Sequence, residues 1–250
     1  MPIGHITNGI HVPTWIAPEM VEMLDAHIGV AWRSQPWDPA SWSGVDRIPD
    51  ATLWGVRRQL KQRLLTFVRE HLRSGSAFSS AGEQSGLADS DVLTIGFARR
   101  FATYKRGDLI FRDLERIRTL CSHPERPLRI LFAGKAHPRD KEGQALLRQV
   151  VLATRDKVLN GRVFFLEDYN IAVGRQLVQG VDVWLNNPRR PYEASGTSGQ
   201  KVPLNGGLNV STVDGWWCEG FTGENGWNIG DDRHYECSQE QDQSDYEALF

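Results

Sequence analysis

From Asp91 onward the chain alternates apolar runs with helical patterns, and this alternation restricts the fold more than any other feature of the sequence. Val92-Leu93-Thr94-Ile95-Gly96-Phe97 is an apolar run, and Asp108 to Leu120 has helical spacing. Leu128-Arg129-Ile130-Leu131-Phe132 repeats the strand pattern and Lys141 to Leu159 the helical one. Val163-Phe164-Phe165-Leu166, then Ala172 to Val178, then Val181-Asp182-Val183-Trp184-Leu185 continue as strand, helix and strand. The pattern predicts an α/β fold with a parallel sheet wound with helices, because parallel neighbours need crossover connections. Ligands of such sheets sit beyond the carboxyl ends of the strands, so functional residues are expected just after each strand.

Ahead of this unit, Ile48 to Arg73 carries Leu53, Trp54, Leu60, Leu64, Leu65, Val68 and Leu72 at helical spacing, which reads as one long amphipathic helix. The Ser/Gly-rich stretch Ser74 to Ser90 reads as a solvated loop or linker. Residues 1–90 are therefore expected to lead into a lobe formed by residues 91–250.

Composition excludes several classes of function. With 29 Lys and Arg against 31 acidic residues the formal charge is −2, so nucleic acid and anionic membrane are not expected partners, and any anion site must be local. No stretch approaches the ~20 apolar residues that span a bilayer. Met1-Pro2-Ile3-Gly4-His5 lacks the basic and apolar regions of a signal peptide, and a cytoplasmic protein is expected. Cys121, Cys218 and Cys237 are an odd number without CxxC spacing, which fits a reducing compartment and argues against a disulfide framework or a structural zinc site. His11, His137 and His234 have no metal-ligand spacing, and the Trp216-Trp217 pair reads as core or carbohydrate-facing.

Two post-strand segments stand out. Ala98-Arg99-Arg100-Phe101-Ala102-Thr103-Tyr104-Lys105-Arg106 puts four cations and a tyrosine in a loop expected to lead into a helix N-terminus. That combination suits phosphate, or else it is a solvated basic turn. After the fourth strand, Glu193-Ala194-Ser195-Gly196-Thr197-Ser198-Gly199-Gln200-Lys201 offers small residues that let backbone amides approach an oxyanion, or a plain strand-to-helix turn with Ser/Thr capping.

Four blocks, in order, resemble the glycogen and maltodextrin (α-glucan) phosphorylases of bacteria and archaea. They are Thr7-Asn8-Gly9-Ile10 with Trp15; Arg99-Arg100 with Tyr104-Lys105-Arg106; Phe132-Ala133-Gly134-Lys135-Ala136 with Pro138; and Glu193-Ala194-Ser195-Gly196-Thr197 with Lys201 and Leu204-Asn205-Gly206. The resemblance covers nearly the whole chain. It implies a Rossmann-like sheet, the C-terminal lobe of a two-lobed GT-B type glycosyltransferase, truncated at both ends: an N-terminal domain and the last C-terminal helices are expected to be missing, and Tyr246 to Phe250 reads as the start of a helix. A homo-oligomer or a companion chain supplying the missing half is compatible with this, and the chain alone is expected to be inactive.

The implied reaction is phosphorolysis: inorganic phosphate attacks the terminal α-1,4-linked glucose of a glucan and releases glucose 1-phosphate with retained configuration. The implied cofactor is pyridoxal 5'-phosphate, held as a Schiff base by Lys201, with its own phosphate as acid/base partner of the substrate phosphate. By the same resemblance Arg100 and Lys105 bind the substrate phosphate, and Arg99 stands where the family has a lysine at the cofactor phosphate. Thr197, Ser198 and Gly199 match the cofactor-phosphate loop, although animal members read Gly-Asn-Met where this chain has Ser198-Gly199-Gln200. Trp15 and Tyr169 match aromatics of the cofactor pocket, or are simple core. Asn8, Tyr104, Glu193, Ser195 and Gly196 match groups that bond the glucose hydroxyls. Related nucleotide-sugar glycosyltransferases usually carry Glu at the position of Lys201, which disfavours that alternative; a non-catalytic carbohydrate-binding remnant is the other.

Overall fold

A computed structural model describes residues 6–75 and 86–250. The middle of the expected Ser74 to Ser90 loop, residues 76–85, and the opening residues 1–5 lie outside the described residues. Six strands, β1 (Leu93–Ala98), β2 (Leu128–Ala133), β3 (Val163–Leu166), β4 (Val183–Asn186), β5 (Leu208–Thr212) and β6 (Gly226–Ile229), form one sheet in the order β3-β2-β1-β4-β5-β6. Every pairing is parallel, as the expected α/β doubly wound fold requires. Strand order reverses between β1 and β4. Chain segments leaving those two strands at their carboxyl ends therefore diverge and open a crevice.

Each face of the sheet has its own core, because successive strand residues point to opposite sides. In β2, Leu131 and Ala133 pack with Phe164, Leu166 and Trp184, whereas Ile130 and Phe132 join Phe97, Val163 and Leu185. The preceding residues supply helices α1 (Val12–Trp15), α2 (Pro18–Ile28), α3 (Ala31–Ser34) and α4 (Asp50–Gly75). Leu64, Leu65, Val68 and Leu72 of α4 enter the first core, so the amphipathic stripe read from the sequence is buried on the sheet face.

Crossovers run through α5 (Leu114–Cys121), α6 (Lys141–Thr154) and α7 (Ile171–Gly180), while α8 (Trp217–Gly220) connects β5 to β6 and α9 (Ser238–Leu249) follows. Three expected helices change. The Asp108 to Leu120 pattern splits into a 3-10 turn, Leu109–Phe111, and α5, because the Asp113 carboxylate caps the Arg116 N–H at 3.0 Å and starts a new helix. The Lys141 to Leu159 pattern stops at Thr154, and Asp156 then accepts from the Val158 N–H to form a turn. The helix expected to start at Tyr246 starts earlier, at Ser238, so Tyr246 to Leu249 lie within α9.

Candidate functional site

Beyond Ala98 the chain keeps pairing with the continuation of β2: the Arg99 N–H donates to the Ala133 carbonyl at 3.2 Å and the Phe101 N–H to the Lys135 carbonyl at 2.9 Å. Strand-like alternation in this extension buries Arg99 and Phe101 and leaves Arg100 exposed. Gly134 makes the approach possible: its φ is +149°, and a Cβ there would lie 2.0 Å from the Arg99 carbonyl oxygen. After Phe101 comes one 3-10 turn, Thr103–Lys105, and Arg106 reverses the chain at φ 49°. The expected helix N-terminus is absent here; α5 begins only at Leu114, so Arg99 and Lys105 of this loop face a carboxylate rather than a helix dipole.

That carboxylate is Glu193, which reaches across from the segment after β4 and pairs with both Arg99 and Lys105. Burial alone would raise the Glu193 carboxyl, but Arg99 and Lys105 outweigh it and hold it below the ordinary carboxylate range. Burial likewise lowers the Arg99 guanidinium against the pull of Glu193. Lys105 also lies 4.6 Å from the centre of the Tyr104 ring. The Glu193 loop is pinned from behind: the Glu193 N–H donates to Asp214 at 2.9 Å, and the Trp216 N–H to the Ser195 carbonyl at 2.8 Å.

Lys201 ends the 3-10 turn Gly199–Lys201, half-buried, with Nζ 3.7 Å from the centre of the Trp15 ring. Among the described residues no carboxylate pairs with it, and burial lowers its amine from the ordinary lysine value. The Trp184 indole donates to Ser198 Oγ at 3.4 Å and Asn209 to the Gly199 carbonyl at 3.1 Å. Gly199 packs so closely that a Cβ would lie 2.9 Å from Trp216 Nε1. Gln200 donates to the Asn8 carbonyl at 2.9 Å, which brings the exposed Asn8 segment to this loop. Tyr169 packs with Trp15 against the α4-side core, and burial raises its phenol.

The expected site residues thus fall into two clusters joined by the loop 193–201. Arg99, Tyr104, Lys105, Glu193, Ser195 and Gly196 form one; Trp15, Ser198, Gly199 and Lys201, with Asn8 nearby, form the other. Exposed Arg100 and half-buried Thr197 form no hydrogen bond with other described residues. Arg99 Nη1 and Ser195 Oγ are buried without a partner among the described residues. Unpartnered buried polar atoms at one end of the loop 193–201 and a lysine amine with no carboxylate partner among the described residues at the other suit a ligand that carries both phosphate and aldehyde groups, so these residues fit the implied cofactor. No group of His, Cys, Asp or Glu among the described residues could hold a metal ion, and no described helix is long and apolar enough to cross a membrane.

Two residues that sequence reasoning left without a role shape the site. Arg57 of α4 is buried and donates to the carbonyls of Gln179 (2.9 Å), Val181 (2.6 Å) and Asn205 (2.7 Å), capping α7 and tying it to the Lys201 loop. Asn205 bonds both the Trp15 and Lys201 main chains. The available signal was the pair Arg57 and Lys61, one helical turn apart beside the apolar stripe of α4; Lys61 meets Asp182 at 2.5 Å.

Residues 3–236 match the family model for carbohydrate phosphorylase. The chain is 45% identical over 232 residues to the maltodextrin phosphorylase of Thermococcus litoralis, covering 93% of this chain and 28% of that protein. It is 41% identical over 254 residues to the glycogen phosphorylase of Aquifex aeolicus, covering 100% of this chain and 36% of that protein. Against the glycogen phosphorylase of Mycobacterium tuberculosis it is 43% identical over 234 residues, 92% of this chain and 27% of that one. The chain therefore spans between 27% and 36% of the length of these curated relatives.

Proposed function

Because this chain belongs to the carbohydrate phosphorylase family, we propose that it carries the cofactor and phosphate side of an α-glucan phosphorylase that converts terminal α-1,4-linked glucose and inorganic phosphate to glucose 1-phosphate. The observation that carries the reading is a half-buried lysine with no carboxylate partner among the described residues, on the same loop as the carboxylate of a cation cluster at the sheet's switch point. Lys201 would hold pyridoxal 5'-phosphate through its aldehyde carbon, with Trp15 and Tyr169 as aromatic residues of its pocket. Ser198 and Gly199, with Thr197 and Arg99, would hold its phosphate. When bound, that phosphate supplies the acid/base partner for the substrate phosphate.

The protein's own residues do the rest. Arg99 and Lys105 concentrate positive charge in a poorly hydrated crevice, where it counts for more than in water. Arg100, which is solvent-exposed, would add a further cation for the incoming phosphate. Glu193, Ser195, Gly196, Tyr104 and Asn8 would bond sugar hydroxyls, and a buried group left unmatched by the wrong sugar costs about 1–3 kcal/mol, which supplies selectivity.

The reading is tested by incubating the purified chain with pyridoxal phosphate, reducing with borohydride and mapping the modified lysine, with Lys201→Ala as control. Label confined to Lys201 is expected. A folded chain that takes no label at Lys201 but binds a nucleotide sugar would instead belong with the nucleotide-dependent glycosyltransferases.

A further inference from the structure

Asn205 is fully buried, at 0% exposure, on the turn Pro203–Asn205 that follows Lys201. Its Oδ1 accepts from the Ala17 N–H at 2.8 Å. Its Nδ2 donates to the Trp15 carbonyl at 3.1 Å and to the Lys201 carbonyl at 3.0 Å. Its own carbonyl accepts from Arg57 at 2.7 Å. The two amide hydrogens therefore tie together two main-chain segments 186 residues apart in sequence, those carrying the indole and the amine that stack at 3.7 Å. Among the described residues no hydrogen bond joins the two side chains themselves; the amine lies over the ring face.

We infer that Asn205 is a positioning residue, fixing the Trp15 main chain to that of Lys201 so that the indole holds the amine in one place and in one poorly solvated pocket. This rests on the reading of Lys201 as the lysine that condenses with an aldehyde cofactor. Arg57 completes the device by anchoring the Asn205 carbonyl to α4, which makes the long amphipathic helix part of the framework of the lysine loop. An apolar residue at 205 would leave the Trp15 and Lys201 carbonyls and the Ala17 N–H without these partners.

The test uses the purified chain, pyridoxal phosphate and cyanoborohydride. The amine condenses with the aldehyde, water leaves, the hydride donor reduces the C=N bond, and mass spectrometry compares labelling rates at Lys201 and at exposed Lys157, well below the melting temperature. In the natural sequence Lys201 should label faster than Lys157. In Asn205→Ala the ratio should fall about tenfold, the factor that corresponds to one or two hydrogen bonds of ordinary net worth. Trp15→Ala should lower it equally while leaving every Asn205 hydrogen bond in place, and the double variant should be no worse than either single one. An unchanged ratio in folded Asn205→Ala, or additive losses in the double variant, overturns the inference.

Should Asn205→Ala fail to fold, Asn205→Asp keeps the acceptor for Ala17 while deleting both Nδ2 donors, and an unchanged ratio there or in Trp15→Ala overturns the inference equally. Acetic anhydride, which needs no phosphate pocket, separates the two layers. If it favours Lys201 and responds to Asn205→Ala while pyridoxal phosphate shows no preference, the positioning role stands and the cofactor reading falls. If both reagents favour Lys201 and neither responds to the variants, the cofactor reading stands and the positioning role falls.

Discussion

Glu193→Gln removes the carboxylate that Arg99 and Lys105 share, and the structure sets the size of the effect. The three side chains are 9%, 5% and 10% exposed, so water screens their pairing weakly. Breaking a buried ion pair by removing one partner costs about 3–5 kcal/mol, and because Gln keeps an acceptor oxygen the loss should lie near ~3 kcal/mol. For a domain of this size each kcal/mol moves the melting temperature by about 2–4 °C, so the variant should melt roughly 6–12 °C lower. Inorganic phosphate should return much of this, since a ligand at 100 times its Kd stabilises by about 2.7 kcal/mol and here supplies the missing negative charge. In the natural sequence phosphate must first displace Glu193, so it should stabilise that protein less. Thermal unfolding by circular dichroism, in phosphate and in chloride at equal ionic strength, measures both effects, with exposed Glu224→Gln as control. The folded-state carboxyl is depressed, so its contribution is present above the unfolded value of about 4.3 and is lost as pH falls through the folded value. The gap between the two proteins should therefore close in acid. A variant melting within about 1 °C of the natural protein, or gaining no more from phosphate, would refute this account of the cluster.

Arg106→Ala should lower stability by about 3–5 kcal/mol in urea titrations, because Arg106 is buried, pairs with Asp242 (2.9 Å) and Asp245 (2.7 Å), and donates to the Asn187 and Pro188 carbonyls. Gly134→Ala should cost at least ~2 kcal/mol through backbone strain and displacement of Arg99, and should also abolish the stabilisation by phosphate. Cys121, whose thiol burial pushes up to about 11, should resist iodoacetamide at pH 8 until the protein unfolds, whereas exposed Cys218 reacts in the native state; mass spectrometry at intervals reads the difference.

Strands β1 to β4 were legible because each is an apolar run bounded by helical spacing or turn residues. β5 and β6 were not. In β5 the buried positions include Asn209 and Ser211, whose polar side chains hydrogen-bond to the Gly199 carbonyl and to Asn186 instead of packing as hydrocarbon, so the hydrophobic signal is lost. In β6, Gly226-Trp227-Asn228-Ile229 has one buried residue and reads as a turn. The cationic loop and the small-residue loop were legible as candidates through residue type alone. Which arginine turns inward was not, since that follows from the strand extension of Arg99 and Phe101 against the continuation of β2, a tertiary pairing. Asn205 was hidden for a similar reason: an Asn before a Gly in a turn signals a turn, and its hydrogen bonds to residues 188 and 190 positions away become visible only in three dimensions.

The reversal of strand order between β1 and β4 also has a kinetic meaning. Arg99 and Glu193 are 94 residues apart, with three strands and three helices between them, so their pairing must close a long loop. Local crossover units can form before that gap closes, and the crevice then exists only in late, nearly native species. A ligand bound there stabilises contacts that the folding barrier does not yet contain, so it slows unfolding while leaving the rate of folding almost untouched.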